Sequence, residues 1–323
     1  MAARLFPDPL MTASLAFVFP GQGSQSLGML ADLAARDPIV RATFDEGSEG
    51  AGVDLWDISQ QGPEDRLNQT EYTQPALLAA SIAAWRLWQA KGGAMPSALA
   101  GHSLGEYSAL VAAGAIDLRD AAKLVRLRGQ LMQSAVPAGT GAMVAVLGAE
   151  DAVIEAACAE SALGEVVVPA NFNTPGQVVI GGHAGAVERT VALLAERGVR
   201  KAVKLTVSVP SHTPMMRDAA KPLAVAMAGI VWRSPSIPVV QNVDGRVHGD
   251  VETIVETLVR QLHQPVQWTR CVQTLVAMGA TRLVECGPGK ALTGMAKRID
   301  KGLEAKSIGS AADFDLALAE WGS

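Results

Sequence analysis

The chain has 323 residues, 49% hydrophobic and 18% charged, which is enough apolar material for one large domain or two smaller ones around a sizeable core. A formal net charge of −5, from 27 basic and 32 acidic residues, gives no global electrostatic reason to bind nucleic acid or an anionic membrane surface. Cys158, Cys271 and Cys286 form neither a CxxC pair nor a Cys/His cluster, so no disulfide framework and no metal site is expected, and the compartment reads as reducing and cytoplasmic.

Residues 1–14 read as a flexible, dispensable extension, with Pro7 and Pro9 ahead of Met11. Arg4 before the apolar run from Leu10 to Phe19 imitates a secretory signal, but no small-residue cleavage site follows, and Pro20-Gly21 ends the run as a turn ends a strand. Leu15–Phe19 is therefore expected as the first buried strand. From Ala16 to about Val136, short apolar runs alternate with helical patterns, such as Pro75–Gln89 with Leu77, Leu78, Ile82, Trp85 and Trp88 on one face. This is the rhythm of a parallel sheet covered by helices. Uncharged stretches such as Gln130–Ala149 are interrupted by Pro137, Gly139 and Gly141, and no membrane span is expected.

Between Gly141 and Val207 the pattern changes to β-α-β-β-α-β. Strands are expected at Ala142–Leu147, Val166–Ala170, Val178–Ile180 and Ala202–Val207, with helices at Glu150–Ser161 and Ala184–Arg197. That order is the ferredoxin-like motif. Pro137 to Gly141 and Pro210 bound it, so residues 138–208 read as a small subdomain inserted into a larger α/β unit made of residues 15–137 and 209–323. The C-terminal part is expected to hold helices at Pro214–Met227, Val251–Leu262 and Val266–Met278 and strands at Val239–Val240 and Arg282–Glu285.

In the stretch Ser97 to Tyr107 a small apolar run meets Gly101-His102-Ser103-Leu104-Gly105 and then an alanine-rich helical pattern. This fits a nucleophile elbow. A sharp strand-to-helix turn projects the serine hydroxyl, the glycines avoid clashes with neighbouring backbone, and the helix N-terminus aims amides at an oxyanion. Ser103 is the expected nucleophile. His102 adjoins it but points elsewhere in a tight turn, so it is expected to buttress the elbow. His183, His248 and His263 lie in turn or polar contexts and read as solvated. His212, at the return from the insertion, is the expected base. No acid stands out where a hydrolase triad would need one, whereas a dyad oriented by a backbone carbonyl needs none. The glycine-rich loop after Phe19 carries Gln22, which suits an oxyanion hole, but it lacks the Lys-[Ser/Thr] of a phosphate cradle. On the helix expected over Asp120–Gln133, Arg126 and Arg128 lie off the leucine stripe, and spacing does not separate a solvated arginine from a functional one.

Phe19-Pro-Gly-Gln-Gly-Ser-Gln25, Gly101-His-Ser-Leu-Gly-Glu-Tyr107, Arg126-Leu-Arg-Gly129, Asn171-Phe-Asn-Thr-Pro-Gly-Gln177, Val209-Pro-Ser-His212, Gln264-Pro-Val-Gln-Trp268 and Glu285-Cys-Gly-Pro-Gly289 together resemble the successive motifs of the malonyl-CoA:acyl carrier protein transacylases. The resemblance spans about Leu15 to Ile299 and implies an α/β-hydrolase-like large subdomain carrying the ferredoxin-like insertion. It also implies a ping-pong acyl transfer without cofactor or metal, from malonyl-CoA through a malonyl-serine to the phosphopantetheine thiol of acyl carrier protein, in fatty-acid biosynthesis. On that resemblance Ser103 is the nucleophile and His212 the base, and the backbone N–H groups of Gln22 and Leu104 form the oxyanion hole. Arg128 receives the malonyl carboxylate, the Gln261 carbonyl orients His212, and Asn171 and Asn173 are candidates for lining the pocket. An acidic carrier protein needs local positive charge, for which Lys297, Arg298, Arg200 and Lys201 are candidates. A monomer is expected. A serine thioesterase and a non-catalytic carrier-binding module stay open as alternatives.

Overall fold

The computed structural model describes residues 14–137, 139–206 and 209–322. Strand β1 (Ser14–Phe19) is followed by helices α1 (Ala31–Ala34), α2 (Pro38–Ala51), α3 (Leu55–Gln60), α4 (Glu64–Leu67) and α5 (Thr70–Ala90) before β2 (Ala98–Gly101). Helices α6 (Gly105–Ala112) and α7 (Leu118–Ser134) lead to β3 (Gly141–Leu147), α8 (Asp151–Ser161), β4 (Val167–Thr174), β5 (Gln177–His183), α9 (Ala184–Glu196) and β6 (Lys201–Lys204). After a 3₁₀ turn at Pro214–Met216 come α10 (Arg217–Ala228), β7 (Val239–Val240), α11 (Val251–Gln261), α12 (Trp268–Ala277), β8 (Ala280–Glu285), α13 (Ala291–Ile299), β9 (Glu304–Ser307) and α14 (Ala311–Trp321).

The strands form two sheets: a five-stranded parallel sheet in the order β7-β2-β1-β8-β9 and a four-stranded antiparallel sheet in the order β4-β5-β3-β6. The fold is therefore α/β, with a parallel sheet and a separate antiparallel one. β1 shows why the parallel sheet is covered on both faces. Leu15, Phe17 and Phe19 join one hydrophobic cluster, with Phe17 edge-on to Trp85 and Trp88 of α5, while Ala16 and Val18 join the cluster on the opposite face. In the antiparallel sheet, α8 and α9 cover one face through Ile154, Ala157, Val187 and Leu194.

Most elements fall where the sequence places them, with boundaries moved by one to four residues; β4 runs on to Thr174 and β5 to His183, because their pairing continues past the expected Ala170 and Ile180. Helix α5 starts at Thr70, a turn before the expected Pro75, because that proline does not open the helix but lies inside it, giving up only the N–H bond that would run back to Glu71. Met216 ends a 3₁₀ turn, so the helix expected at Pro214 begins at Arg217. Val266 is not helical. It bridges to Asn171, and α12 starts at Trp268. Ser14, assigned to the N-terminal extension, opens β1, while residues 1–13 lie outside the described residues. Val207, expected as the last residue of a strand, also lies outside them, as do the boundary positions 138 and 208.

The connection from β2 to α6 positions the chemistry. Ser103 has a left-handed backbone with φ 52°, so the chain reverses sharply between strand and helix. A Cβ on Gly101 would sit 1.9 Å from the carbonyl of Gly105, and one on Gly105 would sit 2.0 Å from the carbonyl oxygen of Phe19. Backbone cannot yield as a flexible side chain does, so the elbow packs on the end of β1 only with glycine at both positions. Gly105→Ala should therefore cost on the order of 2–3 kcal/mol of stability, read as a lower urea midpoint. A midpoint equal to the parent's would contradict this packing.

Candidate active site

Three strand ends of the parallel sheet meet at one place: the Gly21-Gln22 loop after β1, the elbow after β2 and Gln241-Asn242 after β7. Open α/β sheets place their sites at the carboxyl ends of strands, where successive loops converge. Asn242 fastens the elbow from beneath. Its Oδ1 accepts from the Ser103 N–H at 2.7 Å, and its Nδ2 donates to the Gly101 carbonyl at 2.7 Å. The buried Asn242 side chain thus satisfies the Ser103 N–H and the Gly101 carbonyl of the strained turn.

Ser103 Oγ lies 2.8 Å from His212 Nε2, and His212 Nδ1 lies 2.7 Å from the carbonyl oxygen of Gln261. A carbonyl only accepts, so Nδ1 carries the proton and Nε2 presents its lone pair to the serine hydroxyl. The imidazole is held from behind as well, because the His212 N–H donates to the Leu262 carbonyl. His212 is 3% exposed. Burial first, and then the positive charge of Arg128, push its pKa down to about 3, against the opposing pull of the Gln261 carbonyl.

Arg128, on α7, is 1% exposed. Its Nη1 donates to Gln74 Oε1 at 2.8 Å, and its Nη2 donates to Gln261 Oε1 at 3.0 Å and to Ser103 Oγ at 3.2 Å. The guanidinium stands over the Tyr107 ring, 5.5 Å from its centroid. Among the described residues no ion pair includes Arg128, and its Nε has no hydrogen-bond partner. Burial lowers its pKa from the ordinary arginine value. Packing thus separates two arginines that spacing left equivalent: Arg126 is only half-buried and turns to the Ala51 carbonyl and Glu71.

These groups open on a pocket of about 200 Å³ between the two sheets, walled by Met143 of β3, Asn171 and Asn173 of β4 and Val179 of β5. Gln22 and Leu104 line it too. The Gln22 side chain donates to Thr70 Oγ1, and among the described residues neither the Gln22 nor the Leu104 backbone N–H has an acceptor. His102 points away from Ser103. Its Nε2 is 2.8 Å from Asn173 Oδ1 and its ring packs on Trp268.

Sequence reasoning missed Gln74, Gln241 and Asn242 and gave Glu106 no role. A short apolar run ending in Gln241-Asn242 was the available signal for two of them, because polar residues at a strand's carboxyl end face the crevice. Histidines 183, 248 and 263 are half-buried instead of solvated, since each serves a local structure. His183 Nδ1 accepts the Val166 N–H, His248 lies 2.9 Å from Asp244, and the His263 N–H closes a turn onto Arg260. The basic residues stand apart from the pocket lining. Lys297 and Arg298 are exposed on the last turn of α13, with Arg298 donating to Gln177, while Arg200 and Lys201 are exposed at the start of edge strand β6. Among the described residues no group of three or more His, Cys, Asp or Glu side chains could hold a metal ion, and no helix is long and apolar enough to cross a membrane.

Comparison with known proteins agrees with this geometry in kind. An acyl transferase domain matches residues 16–312. The malonyl CoA-acyl carrier protein transacylase of Salmonella typhimurium is 55% identical over 305 residues, covering 94% of this chain and 99% of that protein. The crystal structure of a malonyl-CoA:acyl carrier protein transacylase from Xanthomonas oryzae pv. oryzae is 66% identical, covers 97% of this chain and 100% of its own, and superposes with a TM-score of 0.95. A type II PKS acyl-carrier protein in complex with its malonyl-transacylase is also similar, at 53% identity, 95% and 100% coverage and a TM-score of 0.94.

The depressed pKa of His212 has a definite sign. The folded value, about 3, lies below the ordinary imidazole value of 6.5, so between the two the unfolded chain binds more protons, and stability falls as pH drops through that window. The ring resonances of His212, assigned by their loss in His212→Ala, should stay fixed from about pH 8 to about pH 5. A titration centred near the ordinary value would contradict a buried neutral imidazole.

Proposed function

The chain belongs to the malonyl-CoA:acyl carrier protein transacylase family, within the acyl transferases, and on that premise we propose that it moves a malonyl group from malonyl-CoA to the phosphopantetheine thiol of acyl carrier protein, supplying fatty-acid synthesis. The chain is an acyltransferase. The observation that carries the choice of acyl group is Arg128 Nη2 at 3.2 Å from Ser103 Oγ. A cation this close to the nucleophile suits an acyl chain whose carboxylate is one methylene removed from the carbon under attack.

In the proposed reaction, Ser103 Oγ attacks the thioester carbonyl while His212 Nε2 takes the hydroxyl proton. The Gln261 carbonyl, already bonded to Nδ1–H, stabilises the imidazolium that forms, as a triad acid does elsewhere. The oxyanion receives the N–H groups of Gln22 and Leu104, a contribution worth about 10²–10³ in turnover per donor. When the C–S bond breaks, the imidazolium returns its proton to the CoA thiolate. The carrier thiol then repeats the sequence on the serine ester, giving up its proton to His212 and restoring the Ser103 hydroxyl.

Arg128 suits a malonyl tail because its planar fork can offer two N–H donors to one carboxylate in a desolvated pocket. A carboxylate seated there also offsets the charge that disfavours protonation of His212. The base therefore gains strength when the diacid binds. An acetyl group brings no such charge and leaves the guanidinium as it stands in the free protein.

We read residues 15–137 and 209–323 as the catalytic subdomain and 138–208 as a ferredoxin-like subdomain that walls the pocket, supported by the β3-α8-β4-β5-α9-β6 order. One chain supplies every site residue, so a monomer suffices, and the three free, buried cysteines suit a reducing cytoplasm. Lys297 and Arg298, with Arg200 and Lys201, are the proposed carrier-facing charges. If so, Lys297→Glu with Arg298→Glu raises the carrier KM, and an unchanged KM removes that pair from the interface.

Intact mass after brief exposure to malonyl-CoA tests the proposal. The parent chain should gain one malonyl group that persists until a thiol acceptor is added, Ser103→Ala should gain none, and Arg128→Ala should load on the order of 10²-fold more slowly. Steady malonate release without a persisting adduct would make the protein a hydrolase. Equal loading of parent and Ser103→Ala would exclude Ser103 as nucleophile.

A further inference from the structure

Glu106, in the first turn of α6, is wholly buried and is not part of the pocket lining. Its carboxylate collects donors from two other segments: the Asn242 N–H at 2.9 Å, Gln261 Nε2 at 2.9 Å and Gln241 Nε2 at 3.2 Å. The reaction proposed above uses none of this. The Gln261 side chain is the link. Its Nε2 donates to Glu106 and to the Ser103 carbonyl at 3.0 Å, while its Oε1 accepts from Arg128 Nη2 at 3.0 Å.

An amide has one accepting and one donating end, so its orientation follows from its neighbours. A carboxylate and a backbone carbonyl on one side demand the NH₂ there, and a guanidinium, which only donates, demands the oxygen. Turned the other way, the NH₂ of Gln261 would face the NH₂ groups of Arg128. Resting on the reading of Arg128 as the malonyl-carboxylate receptor, we propose that Glu106 is a positioning residue that fixes the Gln261 amide so that its oxygen seats Arg128, and thereby sets the selection of malonyl over an uncharged acyl group.

Burial makes the ionised carboxylate costly, pushing its pKa up to about 7 even with its donors and the nearby charge of Arg128. A packed apolar side chain would avoid that cost. What the carboxylate adds, at a pH above that value, is polarity of direction: the ionised group only accepts. In Glu106→Gln the new side chain offers an NH₂ where three donors converge, so the Gln261 amide either turns over or loses its partner.

The test is single-turnover acylation of the full chain by malonyl-CoA and by acetyl-CoA, followed by intact mass, so that each variant reports the ratio of the two rates. Effects on Ser103 and His212 cancel in that ratio, whereas a displaced Arg128 does not. The malonyl-to-acetyl ratio should fall about tenfold in Glu106→Gln, the order expected for one hydrogen bond to a charged group. It should fall similarly in Gln261→Met, and the double variant should lose little more. An unchanged ratio in Glu106→Gln, or a further tenfold loss when it is added to Gln261→Met, would overturn the proposal. Should Glu106→Gln fail to fold, Gln261→Met decides alone, since an unchanged ratio there breaks the link to Arg128. A parent chain that takes up no malonyl group would instead overturn the reading of the site, before any variant is compared.

Discussion

The guanidinium of Arg128 lies between α5, α6 and α11, bonded to the amide oxygens of Gln74 and Gln261 and to the Ser103 hydroxyl, and among the described residues it forms no ion pair. Removing an isolated cation from water costs several kcal/mol, and neutral oxygens with an aromatic face offset only part of it. Much of the surrounding structure answers this one charge. Tyr107 supplies a ring face, Glu106 a charge set behind the Gln261 amide, and the depressed pKa of His212 is in part its consequence. A pocket arranged this way favours a ligand that brings negative charge beside Ser103.

The fold delivers these groups by a simple rule of parallel sheets. β1, β2 and β7 run the same way, so their carboxyl ends meet, and each contributes one loop to the site. The elbow after β2 is strained and packed against β1, which leaves Ser103 projecting and its backbone tied to Asn242. The antiparallel sheet contributes little to the cluster of Ser103, His212 and Arg128. It adds the wall, through Met143, Asn171 and Val179, that turns an open crevice into a pocket of about 200 Å³.

The elbow was legible in the sequence because its determinants are local: an apolar run, two glycines flanking a serine two apart, and a helical pattern directly after. The β-α-β-β-α-β order was legible for the same reason, since period and turn residues mark each element. Arg128 was not separable from Arg126 by spacing, because which face of α7 is buried depends on α5 and α11, distant in sequence. Gln74 was obscured by Pro75, which reads as a helix start although it sits inside α5. Asn242 ties the elbow at Ser103 and Gly101, and Glu106 gathers Asn242, Gln241 and Gln261, a network that exists only once β2, β7 and α11 are assembled. Charged or polar residues with such long-range partners carry no periodic signature.

A crystal structure of the chain after loading with malonyl-CoA would show directly whether Arg128 holds the acyl carboxylate beside Ser103. The ester should lie on Ser103 Oγ with the free carboxylate paired to the Arg128 guanidinium. An ester on another residue, or a malonyl carboxylate turned to solvent with Arg128 still bonded only to Gln74 and Gln261, would contradict that arrangement.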